Sequence, residues 1–185
     1  MIPTRAQAED LVRQYNTQEF HVHHARVVAG VMAWFAQQYD PDNVDFWYAV
    51  GMLHDIDYEM YPDEHCVKGS ELLSDHGVDP AVIRSAMSHG WGMTGSPYQP
   101  ESMMEKILFA CDELTGFIGA VAVVRPSKSV QDLEVSSVKK KFKQPSFAAA
   151  VSRDTIQEGA EALGWTLDDL IARTIQAMRT LDFVD

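Results

Sequence analysis

A chain of 185 residues with 46% hydrophobic and 23% charged residues has the composition of an ordinary globular protein and is long enough for one substantial core. Its net charge of −12 excludes the basic footprint that grips nucleic acid or anionic lipid; an anionic substrate would need metal ions or a few placed Lys and Arg side chains. No apolar run approaches the about 18 residues of a membrane span, the first ten residues lack a signal-peptide core, and two cysteines, Cys66 and Cys111, are too few for a disulfide scaffold.

Helical periodicity dominates, and no segment alternates with the period of a strand. Over residues 19–38, Val27, Val28, Val31 and Phe35 form an apolar stripe that His24 shares, and Asp40-Pro41 ends the helix. A second helix is expected over about 44–56, with Phe46, Val50 and Leu53 as its inner face. A third should start after Pro62, include His65 and close at about His76 with Gly77 as cap. Asp79-Pro80 reads as an N-cap followed by Pro at the first helical position, opening a helix to about His89. Residues 91–100, rich in Gly, Ser and Pro, form a loop. The longest apolar helix spans about 101–124, up to Arg125-Pro126. After a looser stretch containing Lys139-Lys140-Lys141, helices are expected at 153–163 and 167–183. The fold class is all-α, in one domain spanning 1–185.

Histidines and carboxylates on apolar helix faces demand compensation, because an ion taken out of water without a partner is very costly. His54 and Asp55 end the apolar run Ala49-Val50-Gly51-Met52-Leu53. Adjacent helical residues differ by about 100° in direction, so both side chains can lean into one cleft. His24 lies on its stripe, and Asp112 sits in Ile107-Leu108-Phe109-Ala110-Cys111-Asp112, within the most apolar helix. His65 and His89, near helix ends, fit the same logic. Six nitrogen and oxygen donors suit a divalent transition metal, Mn or Fe before Mg, and neither cysteine is required.

His24, the His54-Asp55 pair and Asp112, in that order on successive helices, resemble the pattern of the HD-domain metal-dependent phosphohydrolase superfamily over about residues 20–125. His65 and His89 resemble the two additional histidines of its two-metal branch. The resemblance implies an HD-domain helical bundle with a core at about 20–125 and additional C-terminal helices at about 126–185. It implies one ion held by His24, His54, Asp55 and Asp112, and a second held by His65 and His89 with Asp55 as the bridge. The implied activity is hydrolysis of a small phosphorylated compound, a nucleotide among the candidates, by a metal-activated water. Asp55 and Asp57 are the catalytic candidates. Asp57 would orient a water or a histidine, while its place after His54-Asp55-Ile56 departs from members that carry Lys or Gly there. Glu59 is a weaker acid–base candidate.

Two other readings follow from the same donors: a di-iron HD-fold oxygenase, and a nucleotide-binding module without turnover. The expected setting is a reduced cytoplasm, with no membrane and no nucleic-acid partner. Neither the substrate nor the oligomeric state is encoded in a readable motif.

Overall fold

The computed structural model describes residues 1–182, and among these it contains helices and turns but no strand. The all-α fold class is thus correct. No helix of the described residues is long and apolar enough to cross a membrane. The chain divides into two compact units, Met1–Leu108 and Phe109–Asp185.

The first unit opens with α1 (Arg5–Tyr15), which is not among the helices expected from apolar periodicity. Its start is written in Thr4-x-x-Gln7: Thr4 Oγ1 accepts from the Gln7 N–H, and the Gln7 side chain accepts from the Thr4 N–H at 3.0 Å. Helix α2 (Glu19–Tyr39) buries the stripe Val27, Val28, Val31 and Phe35 as expected. Helix α3 is shorter than expected (Val44–Leu53), and Trp47 takes the buried position assigned to Phe46. The Trp47 indole N–H reaches Asp40 Oδ2 at 3.1 Å, which lets a polar-tipped ring go inside.

Helices α2 and α3 pack closely, and Gly51 is the reason. A Cβ added there would lie 2.9 Å from Ala29 Cα and 3.0 Å from Ala29 N. Gly51→Ala should therefore destabilise the protein, although alanine is the better helix former by about 1 kcal/mol. Overpacking against backbone costs about 1–3 kcal/mol, so a net loss of up to about 2 kcal/mol in urea unfolding is expected; a stabilised variant would refute the close contact.

The third expected helix begins later than predicted. Pro62–Glu64 form one 3₁₀ turn, His65 is extended, Cys66 has φ 67°, and α4 runs only over Val67–Asp75. Helix α5 (Pro80–Met87) carries the predicted Asp79 cap on the Ala81 N–H at 2.9 Å. It then tightens into a 3₁₀ turn, Ser88–Gly90, that holds His89. Within this unit α1 and α5 pack on α3, and α4 packs on α5.

Helix α6 (Met103–Val123) matches the longest predicted helix, and its portion up to Leu108 belongs to the first unit. The second unit holds the rest of α6 with α7 (Val135–Phe142), α8 (Arg153–Leu163) and α9 (Leu167–Met178). Helix α7 occupies the stretch expected to be loose, because Val138 and Phe142 are both buried at i,i+4 spacing. Gly159 lets α8 approach α6 closely: a Cβ there would sit 2.5 Å from Ala110 Cα. The Arg153 guanidinium donates to five carbonyls, those of Phe142, Gln144, Phe147, Ala148 and Val151, and so organises the connection before α8. Gly164 at φ 69° caps α8. The last helix ends at Met178, short of its expected terminus; residue 183 lies outside the described residues.

Candidate metal centre

The centre in the first unit is built on helix ends. Helix α3 stops at Leu53, and His54 folds back so that its Nδ1 lies 2.7 Å from the Gly51 carbonyl. His89 repeats the device after α5, with Nδ1 2.7 Å from the Ala86 carbonyl. Each imidazole satisfies a carbonyl that the helix terminus leaves without an intrahelical partner. A carbonyl only accepts, so both Nδ1 atoms carry the hydrogen, and in the neutral rings each Nε2 presents a lone pair.

His65 is oriented by a different group. Its Nδ1 lies 2.7 Å from Asp57 Oδ1, while Asp57 Oδ2 accepts the Gly69 N–H at 2.6 Å. Asp57 is fully buried and both of its oxygens are engaged. Of the two roles expected for it, the geometry supports orienting a histidine. Gly69 is small where Asp57 passes, since a Cβ there would meet Asp57 Oδ2 at 3.1 Å.

Asp55 stands among four imidazoles. Its Oδ2 is 3.3 Å from His54 Nε2 and 3.6 Å from His24 Nε2. Its Oδ1 is 3.3 Å from both His65 Nε2 and His89 Nε2. The two oxygens thus divide the centre into two lobes, one facing His24 and His54, the other facing His65 and His89. His65 Nε2 and His89 Nε2 approach to 3.0 Å. Two lone pairs at that distance repel unless a cation, a proton or a metal ion, lies between them.

The electrostatics follow from this crowding. Burial opposes charge on Asp55, but the imidazoles of His54, His65 and His89 outweigh it and hold the carboxyl well below its usual range. Burial likewise opposes protonation of His65, and the carboxylates of Asp55 and Asp57 override it and raise its pKa well above that of a free imidazole. In the metal-free chain a proton on His65 is the compensating cation; a bound ion would replace it. The donors fit a metal: with one ligand atom each, His24, His54 and Asp55 lie within 4.8 Å of one another.

The centre is closed at its base and open at one side. His54 and His89 are buried, whereas the Asp55 and His24 side chains keep 17% and 21% exposure, enough for a small ligand to reach them. Tyr58, exposed, sets its ring edge-on to His65 at 5.1 Å and lies 5.9 Å from the His21 ring.

Other expectations resolve separately. Asp112 lies on the part of α6 that belongs to the second unit and is half-buried. Glu59 is not aimed at chemistry: it accepts from Thr17 Oγ1 at 2.6 Å and from the Gln18 N–H at 3.0 Å, securing the start of α2. His76 ends α4 as expected and meets the Tyr15 hydroxyl at 2.8 Å. Arg125, just past α6, pairs with Asp132 at 2.9 Å.

One residue set aside by the donor count belongs here. Cys66 is fully buried, and its Sγ lies 3.9 Å from His89 Nε2. Burial opposes its thiolate, but the adjacent imidazoles of His89 and His65 bring its pKa down to about 6. Cys111, also free, is pushed by burial up to about 12. The sequence signal for Cys66 was adjacency to His65 alone, and a nitrogen–oxygen donor set had no place for a thiol.

The orienting role of Asp57 is testable. Asp57→Asn places an amide N–H₂ or a neutral acceptor against two N–H donors, of His65 and Gly69. Loss of such a partner costs about 10–100-fold in metal affinity, read by titration calorimetry; unchanged affinity would remove Asp57 from the centre.

No known family model matches the chain, and no solved structure matches it either. On its own structure, the chain is an all-helical protein carrying clustered imidazoles and carboxylates that could bind a metal ion.

Proposed function

We propose that the protein is a metal-dependent hydrolase of a small phosphorylated compound, holding two divalent ions on either side of Asp55. The observation that carries the reading is the Asp55 carboxylate with each oxygen facing two imidazoles, three of them turned inward by hydrogen bonds at Nδ1. His24 and His54 would hold one ion. His65 and His89 would hold the other. Asp112 is proposed as a further ligand of the first ion on its place in the sequence pattern alone.

Bound ions supply Lewis acidity and a water acidified toward neutrality, and they offset the −12 charge of the chain toward an anionic substrate. The residues do the positioning. Backbone carbonyls lock His54 and His89, and Asp57 keeps the proton on His65 Nδ1, so that Nε2 stays available. The partly exposed edge at His24 and Asp55 is where a phosphoryl group would enter, with the buried His54 and His89 excluding water behind it.

The test is elemental analysis of purified protein, then a phosphoester and nucleotide panel with each divalent ion, Asp55→Ala serving as control. Phosphate release that requires metal and Asp55 supports the reading. Oxygen consumption by an iron-loaded protein without phosphate release would overturn it in favour of an oxygenase, and binding of a nucleotide without turnover in favour of a regulatory module.

A further inference from the structure

The lobe at His65 and His89 contains a donor that a nitrogen–oxygen site does not need. One ligand atom each of His65, Cys66 and His89 lies within 4.8 Å of the others. The Cys66 sulfur lies 3.9 Å from His89 Nε2, the nitrogen turned inward by the Ala86 carbonyl. We propose that Cys66 Sγ is a metal ligand, completing with His65 and His89 a site selective for a thiophilic divalent ion, zinc or ferrous iron, over manganese or magnesium.

Three observations support the assignment. The distances match a coordination sphere: zinc–sulfur bonds of about 2.3 Å and zinc–nitrogen bonds of about 2.0–2.1 Å, at a tetrahedral angle, set sulfur and nitrogen about 3.6 Å apart and two nitrogens about 3.4 Å apart. The corresponding separations are 3.9 Å for Cys66 Sγ to His89 Nε2 and 3.0 Å for His65 Nε2 to His89 Nε2, a few tenths away in each case. The chain also adopts an unfavourable backbone conformation to put the thiol there. Cys66 has φ 67°, a region that a residue with a Cβ rarely adopts. Finally, the opposing wall is cut away, since a Cβ on Gly90 would collide with Cys66 Sγ. Asp55 Oδ1, 3.3 Å from both imidazoles, faces the same lobe.

The consequence is asymmetry between the lobes. Imidazole and carboxylate donors at His24, His54 and Asp55 accept many first-row ions, whereas a thiolate beside two imidazoles favours softer ones. The protein would then carry a tightly held thiophilic ion in one lobe and a more exchangeable one in the other. This deepens the reading of the centre as a two-ion site and rests on it.

Cobalt(II) is the probe, because a cobalt–thiolate bond adds an intense near-ultraviolet charge-transfer band that imidazole and carboxylate ligation lack. Metal-free wild type and Cys111→Ser are titrated with Co²⁺. Both should develop visible ligand-field bands and the charge-transfer band. Cys66→Ser should keep the ligand-field bands and lose the charge-transfer band, with zinc affinity reduced at least about 100-fold, the upper end for loss of an outer-shell partner, and manganese affinity nearly unchanged. Ligand-field bands without charge transfer in the wild type would overturn the Cys66 assignment and leave the imidazole–carboxylate centre standing. No cobalt bound at all would overturn both. The wild-type and Cys111→Ser spectra decide the matter even where Cys66→Ser does not fold.

Discussion

Asp55→Ala is expected to strip the centre of metal and, under the proposed function, to reduce phosphoester turnover to background. Asp55 faces all four imidazoles, at 3.3–3.6 Å. Its removal takes a ligand from both lobes, so the affinity loss should exceed the about 100-fold that marks the loss of an outer-shell partner. The fold should survive, because helix α3 ends before Asp55 and its packing through Gly51, Val50 and Leu53 does not involve the carboxylate. Circular dichroism and unfolding report the fold, and metal content of the purified variant reports the site. A folded Asp55→Ala protein that bound metal like the wild type would remove the basis of the proposed function.

Arg84→Met is expected to cost about 3 kcal/mol at neutral pH, and much less in acid. Glu105 is 3% exposed, and its Oε1 accepts from the Arg84 guanidinium and from Ser85 Oγ at 3.1 Å. Its Oε2 accepts the N–H groups of Glu101 and Ser102 at 2.8 and 3.0 Å, while Ser102 Oγ accepts the Glu105 N–H at 3.2 Å. That reciprocal pair starts α6. Taking the guanidinium away leaves a buried carboxylate without its cation, which typically costs about 3–5 kcal/mol; the remaining N–H donors argue for the lower end.

The pH dependence has a definite sign. Burial opposes the Glu105 charge, but the Glu101 N–H, Arg84, the Ser102 N–H and Ser85 outweigh it, so the carboxyl titrates below its unfolded value. A depressed carboxyl contributes stability above the unfolded pKa, about 4.3, and loses it as pH falls through the folded pKa. In Arg84→Met the folded pKa moves up, so protonation relieves the variant while it penalises the wild type. Unfolding midpoints of the two proteins should therefore converge as pH falls from the unfolded value through the depressed folded one. A gap that stays constant from neutral to acid pH would mean that the pair contributes through packing alone.

Much of the architecture was legible because burial follows period. The stripe Val27, Val28, Val31 and Phe35, the cap at Asp79-Pro80 and the end of α8 at Gly164 are local features with local causes. Misses have causes as definite. The start of α1 was written in a capping box, Thr4-x-x-Gln7, which apolar repeats do not reveal. Trp47 displaced Phe46 from the inner face because Asp40 could satisfy its indole nitrogen.

At the centre, the residue types alone picked out His24, His54, Asp55, His65 and His89, because buried imidazoles and carboxylates demand compensation wherever they fall in a chain. Which oxygen of Asp55 faces which imidazole, and that Asp57 orients His65, depend on groups separated by up to 65 residues and only folding brings them together. The same holds for Cys66. Local pattern placed it inside a helix, and the tertiary demand of Asp55 and Asp57 on His65 came with a turn at φ 67° that swings the thiol to His89. The sequence by itself determined an all-helical chain with a buried set of donors, since periodicity and desolvation act residue by residue. Only the tertiary structure decided how those donors divide around one carboxylate, because that division is set by long-range hydrogen bonds and by the glycines that let the backbones close.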